Sequence, residues 1–116
     1  MAHDDEVFLN HILDAVKKIE TYVSNLDEGD FYRQSLVQDG VIRQLEIIGE
    51  ATKQLSPNLR QKYAPIPWQD LARMRDKLIH AYFGVDLEKV WLTVQDDLPA
   101  LREDVVKILS GGGSSI

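Results

Sequence analysis

Apolar residues recur every three or four positions along nearly the whole chain, the period of a helix that buries one face. Between Asp5 and Leu26 they are Val7, Phe8, Ile12, Ala15, Val16, Ile19, Tyr22, Val23 and Leu26, with Asp4 or Asp5 placed to cap the start. The run from Asn25 to Asp30 reads as a turn, with Gly29 free to take a positive φ. Asp30 is placed to cap a second helical segment from Phe31, which Gly40 is expected to bend or interrupt. Val41, Ile42, Leu45, Ile48, Gly49, Thr52 and Leu55 carry the helical period onward.

Ser56-Pro57 joins a good cap to a proline at the first helical position and predicts a short helix to about Tyr63. Ala64-Pro65-Ile66-Pro67 follows as an extended connector, because a residue before proline is pushed out of the helical region. A fourth helix is expected from Pro67 or Trp68, carrying Leu71, Met74, Leu78 and Ile79 and ended by Gly84 at or soon after residues 80–83. Asp86 caps a fifth, with Val90, Trp91, Val94, Leu98, Leu101, Val105 and Ile108 as its seam. Pro99 removes a backbone donor, so a kink or break is expected between Asp96 and Pro99. Neither an alternating strand pattern nor an internal repeat is present. The predicted architecture is all-α, an up-and-down helical bundle in one domain over residues 1–109, followed by a flexible Gly/Ser tail over 110–116.

Composition narrows the function classes. A chain of 116 residues is one domain's worth, and a domain of that size gains core by self-association. The net charge of -6 excludes a polyanion clamp or membrane-surface binder working by bulk charge. The charge is uneven, however. Seven of the 13 bases but only four of the 19 acids lie between Arg43 and Lys77, which makes that segment net positive. Cysteine is absent, which removes disulfides, thiolate nucleophiles and cysteine-held metals. No apolar run approaches the roughly 20 residues that span a bilayer. The N-terminus is acidic where a secretory signal is basic and then apolar, so a cytoplasmic location is expected.

Much familiar chemistry is missing. Gly111-Gly112-Gly113 precedes no helix and forms no phosphate loop. His3, His11 and His80 are far apart in sequence, so no metal site and no cofactor are expected. The pair Asp96-Asp97 reads as a solvated helix end rather than an acid/base couple. The informative stretch runs from Arg73 to Gly84. On a helix, Asp76 and His80 lie about 40° apart, and a carboxylate there fixes an imidazole's tautomer and favours its charged form. Arg75 and His80 lie about 140° apart on a straight helix. They converge only if the helix unwinds near His80, as Gly84 hints, or if two copies meet across a two-fold axis. A base, a guanidinium for the phosphate and an acid for the leaving oxygen are what metal-free RNA cleavage requires. The plainer reading is a helix-surface pair of Asp76 and His80 beside a half-buried Tyr82.

Arg75-x4-His80-x-Tyr82 resembles the R-x4-6-H signature of HEPN domains, in the form found in the HepT-like family. Arg43-Gln44-Leu45-Glu46-Ile47-Ile48-Gly49-Glu50-Ala51, Ile66-Pro67-Trp68, Tyr82-Phe83-Gly84-Val85-Asp86 and Trp91 to Pro99 are also similar to that family. The resemblance covers roughly Phe31 to Leu109. It implies a HEPN-type bundle dimerising through helix faces, with two motif copies opposed, and a metal-independent endoribonuclease toxin. It further implies that Arg75 holds the scissile phosphate, that His80 is the acid/base group, and that Tyr82 takes AMP from a nucleotidyltransferase antitoxin of the MntA type. Asp76 stands where the superfamily usually has a polar, often amide, residue, a departure that strengthens pairing with His80 and weakens substrate binding. An alternative is a HEPN subunit that no longer cleaves and serves a nucleotidyltransferase as a nucleotide-binding scaffold.

The remaining candidates have plainer readings as well. Arg43, Lys53, Arg73 and Lys77 are positioned to track an RNA backbone, or are simple surface charges. Glu50 is read as an interfacial ion-pair partner for a basic residue or as a support for Arg75. Gly49 in mid-helix points to a close helix crossing. Trp68 and Trp91 are expected to anchor core or interface, and His11 to be structural.

Overall fold

The computed structural model describes residues 3–74, 76, 79, 80 and 84–111, with backbone alone at His3, Ile79 and His80. Helix α1 (His3–Tyr22) and helix α3 (Ser35–Lys53) are its two long helices and pack along each other. They run antiparallel: the Tyr22 ring lies on Gly40, while Asp5 near the other end of α1 reaches Ser56 just beyond α3. Leu9, Ile12, Val16 and Ile19 of α1 meet Val41, Leu45 and Ile48 of α3 in a fully buried seam. This is the amphipathic stripe read from the sequence, and its burial holds the pair together.

Between them, α2 (Glu28–Arg33) starts on a reciprocal cap. The Asp27 carboxylate accepts from Asp30 N at 2.7 Å, and the Asp30 carboxylate accepts from Asp27 N at 3.2 Å. That backbone N–H holds the Asp30 carboxyl below its ordinary range. Glu28 accepts from the Tyr32 hydroxyl at 2.6 Å and pushes its pKa up to about 12. Three expectations are corrected here. The cap is Asp27, with Asp30 three residues inside. The positive φ belongs to Asn25 rather than Gly29. The chain breaks at Gln34, and α3 runs unbroken through Gly40, because a Cβ there would stand 3.1 Å from the Tyr22 ring and the glycine makes room for it.

Ser56 caps α4 (Pro57–Lys62) as expected, accepting from Leu59 N. Asp4 and Asp5 are not at the N-cap but inside α1, which already includes His3. Asp5 is instead buried, accepting from Ser56 N at 2.7 Å and from Ser56 Oγ at 2.6 Å. After α5 (Trp68–Ala72) come the two-residue strands β1 (Ile79–His80) and β2 (Gly84–Val85). Asp86 caps α6 (Leu87–Leu92), accepting from Lys89 N. A π-helical turn (Thr93–Asp97) then leads into α7 (Leu98–Leu109), which packs on α1. The irregularity expected near Pro99 takes this form: Leu98 N–H bonds the Thr93 carbonyl, a wider turn that accommodates the missing proline donor. Trp91 packs its ring 5.4 Å from that of the buried Phe31, one of the two anchors expected. Among the described residues the regular structure is helical apart from the small hairpin, and no described helix is long and apolar enough to cross a membrane.

Candidate active site

The motif segment is launched by a helix crossing. Gly49 of α3 is buried, and a Cβ there would stand 3.4 Å from the carbonyl oxygens of both Leu71 and Ala72. The bare backbone lets α5 lie directly on α3, the close crossing expected of a mid-helix glycine. Trp68 fixes the start of α5: it is buried, and its indole Nε1 donates to the Tyr63 carbonyl at 3.0 Å. Leu71 and Met74 are buried on the same side.

The long fourth helix expected through His80 is not present. Helix α5 ends at Ala72, Arg73 is a turn, and Met74 and Asp76 regain helical backbone. Ile79 and His80 are extended and pair antiparallel with Val85 and Gly84 respectively. Gly84 takes φ +77°, a conformation that side chains disfavour, and so closes the hairpin. The β-branched and aromatic content around it (Ile79, Tyr82, Phe83, Val85) suits extended chain better than helix. His80 is not on that helix, so Asp76 and His80 do not stack one helical turn apart as expected. Of the expected site residues, Arg75, Lys77 and Tyr82 lie outside the described residues. His80 is placed by its backbone alone, directly opposite Gly84. Asp76 and Arg73 are exposed.

The other candidates lie on α3. Arg43, Glu50 and Lys53 are all exposed, and Lys53 Nζ stands 3.3 Å from Glu50 Oε1, a surface pair within α3 rather than an interfacial one. Arg43 and Glu50 line a groove of about 290 Å³ with Phe8, His11, Glu46 and Ile47. His11 lies edge-on to Phe8 at 5.7 Å, in keeping with its structural reading. The face is mixed in sign rather than a basic track.

One feature was not singled out from the sequence. A second groove, of about 250 Å³, runs between α5 and the π-helical turn. Ile66, Leu71, Met74 and Leu101 floor it, and Asp70, Asp96, Asp97 and Asp104 rim it. Its signal is the four-residue spacing of Asp96, Ala100 and Asp104, which stacks them on one helix face. Asp96, Asp97 and Asp104 make this wall acidic. Among the described residues, no three His, Asp or Glu side chains are grouped as a metal ion would need.

Comparison with known proteins gives a consistent picture. The family described as "Ribonuclease HepT-like" matches residues 12–108. A Thermococcus cleftensis protein named "Probable ribonuclease HepT" is 43% identical over 107 residues, covering 92% of this chain and 96% of that one. A Methanocaldococcus jannaschii protein named "Gamma-glutamylcyclotransferase and putative RNase" is 48% identical over 109 residues. That alignment covers 94% of this chain but 49% of the relative, so the chain spans about half of it. No solved structure matches.

Proposed function

The chain belongs to the HepT-like family of ribonucleases, and we propose that it is a metal-independent endoribonuclease toxin whose site is shared by two protomers. The observation that carries this reading is the spacing Arg75-x4-His80-x-Tyr82 within a chain of that family. The short hairpin supports it: extended backbone at His80 removes the 140° separation that a continuous helix imposes between His80 and Arg75.

In the proposed reaction, the neutral His80 imidazole takes the proton of a ribose 2'-hydroxyl. The freed oxygen attacks the adjacent phosphorus, and Arg75 stabilises the charge that builds on the phosphoryl oxygens. The bond to the 5' oxygen breaks as an imidazolium, that of the second protomer's His80, returns a proton to it. The products are a 2',3'-cyclic phosphate and a 5'-hydroxyl. Tyr82 is the proposed acceptor of AMP from a separate nucleotidyltransferase antitoxin. The adduct adds bulk and negative charge to the motif and blocks RNA.

Purified protein incubated with total RNA in EDTA tests the reading. Cleavage is expected, with Arg75→Ala and His80→Ala each inactive and a 2'-deoxy substitution at the scissile position inert. Cleavage that requires added metal, or that survives both substitutions, overturns it. Mass spectrometry after co-expression with the nucleotidyltransferase reads modification at Tyr82.

A further inference from the structure

A shallow shelf on the other side of α5 differs from the two grooves described above in having no carboxylate along it. It takes in about 590 Å³ and is open to solvent. Pro57, Ala64 and Pro67, all exposed, give it an apolar surface, and Arg60, Gln61 and Gln69 give it polar edges. Pro57, Arg60 and Gln61 come from one face of α4, three and four residues apart. Gln69 comes from α5. Arg73 follows it by one turn, with its N–H bonded to the Gln69 carbonyl, so the two share a side of that helix. Asp70 and Met74 line the acidic groove instead. Ile66 and Pro67 line both spaces and form the ridge between them. Arg60 is held in place on the shelf. Its Nη2 donates to the Thr52 carbonyl near the end of α3, while its Nε is buried with no partner among the described residues. No described carboxylate pairs with Arg60 or with Arg73. Two uncompensated guanidiniums therefore flank α5, Arg60 by its start and Arg73 at its end. That helix is five residues long, about 7.5 Å, and leads directly into the motif segment.

We propose that this shelf binds a single-stranded stretch of the RNA adjoining the cut, with phosphates held by Arg60 and Arg73 and a nucleobase laid on Pro57, Ala64 and Pro67. A guanidinium fork matches a phosphate, and one already tied by a hydrogen bond loses less freedom on binding it. An apolar surface takes the face of any base, so the subsite is tolerant of sequence. The Gln61 and Gln69 amides offer both donors and acceptors to a base edge. The carboxylates of the acidic groove lie across the Ile66–Pro67 ridge, so the shelf side of α5 is the one complementary to a polyanion. The inference rests on the ribonuclease reading above and adds the place where substrate beyond the scissile bond is held.

Salt-dependent binding of a short single-stranded 2'-O-methyl oligonucleotide, which lacks the attacking hydroxyl and so stays whole, tests it. Each phosphate contact removed should lower the slope of log Kd against log salt by about 0.7. Arg60→Gln and Arg73→Gln are each expected to do so. Arg60→Lys keeps the charge and should keep the wild-type slope. Ala64→Glu and Gln69→Glu set a carboxylate on the shelf at exposed positions and should weaken binding about tenfold or more. With cleavable RNA, the same substitutions should raise KM more than they lower kcat. Wild-type protein that does not bind the oligonucleotide overturns the proposal. Variants that all bind as wild type also overturn it, and leave the shelf to a protein partner. A slope that falls in Arg60→Lys as far as in Arg60→Gln overturns it too, because Arg60 is then only a tie to Thr52. The two readings fail separately. Shelf variants that weaken oligonucleotide binding by a protein that leaves RNA uncut refute the ribonuclease mechanism alone. Cleavage whose KM is indifferent to Arg60→Gln and Ala64→Glu refutes the shelf alone.

Discussion

The α1–α3 pair and the stretch from Arg73 to Asp86 are written in the same apolar spacing, yet only the first is continuous helix. In α1 and α3 each apolar position is answered by one on the facing helix, and the shared seam is wholly buried from Leu9 to Ile19 and from Val41 to Ile48. In the second stretch the period has few turns to run. Leu71 and Met74 are buried, but by Ile79 the chain is extended and bonded to the strand that follows Gly84. Helical spacing is a reliable guide where a facing element buries the stripe. Where it is short and meets a positive-φ glycine, the local preference for extended chain prevails. The proposed chemistry belongs to that second kind of region, held in place by the first.

The comparison breaks most visibly at Ile48. Its side chain is fully buried between the long helices, and Ile48→Ala should cost about 2–5 kcal/mol of unfolding free energy, read from urea denaturation. Below its melting transition this variant should still cleave RNA, because the cavity lies in the scaffold and leaves the route of the motif segment unchanged. A cleavage loss as large as that of His80→Ala would show that the two regions are not separable.

Gly49→Val is expected to separate them in the other direction. Its stability cost should be smaller, about 1–3 kcal/mol for overpacking. The new side chain pushes against the Leu71 and Ala72 carbonyls, however, and shifts the helix that feeds the motif. Cleavage should fall about tenfold or more in protein that is still folded, as misplacement of reacting groups does. Asp5→Ala is a scaffold control of similar stability cost, about 1–3 kcal/mol, because it leaves the Ser56 backbone N–H without its buried acceptor. It should leave cleavage per folded molecule unchanged.

How much was legible beforehand follows the same division. The helical class, the Ser56 and Asp86 caps, the close crossing at Gly49 and the irregularity before Pro99 each depend on one or two neighbouring residues or on an unbroken stripe. All of these were readable from the sequence. The cap at Asp27, the straight run through Gly40 and the Asp5–Ser56 bond depend on groups that only the fold brings together. The Tyr22 ring excuses Gly40, and residues 51 apart in the chain meet at Ser56. For the site, the motif residues were named from their spacing, but the helix drawn to carry them is interrupted at Arg73 and has given way to extended chain by Ile79. The acidic groove also went unseen as a site, because its carboxylates come from two elements that are neighbours only in space.

Gly84 gives the smallest and most specific test of the division. Nothing lies within 4 Å of where its Cβ would stand, so Gly84→Ala introduces no clash and changes only the cost of holding φ at +77°. That cost is about 1 kcal/mol for alanine and less for asparagine, which tolerates the left-handed region. Overall stability should therefore move by no more than about 1 kcal/mol in either variant. The hairpin that sets His80 opposite Gly84 bears the whole of that change. Cleavage should drop severalfold in Gly84→Ala and recover in good part in Gly84→Asn, measured on the same RNA at one temperature. Equal activity in all three proteins would mean that the hairpin plays no part in presenting the imidazole. Equal loss in both variants would mean that the glycine is needed for clearance around substrate rather than for its backbone angle.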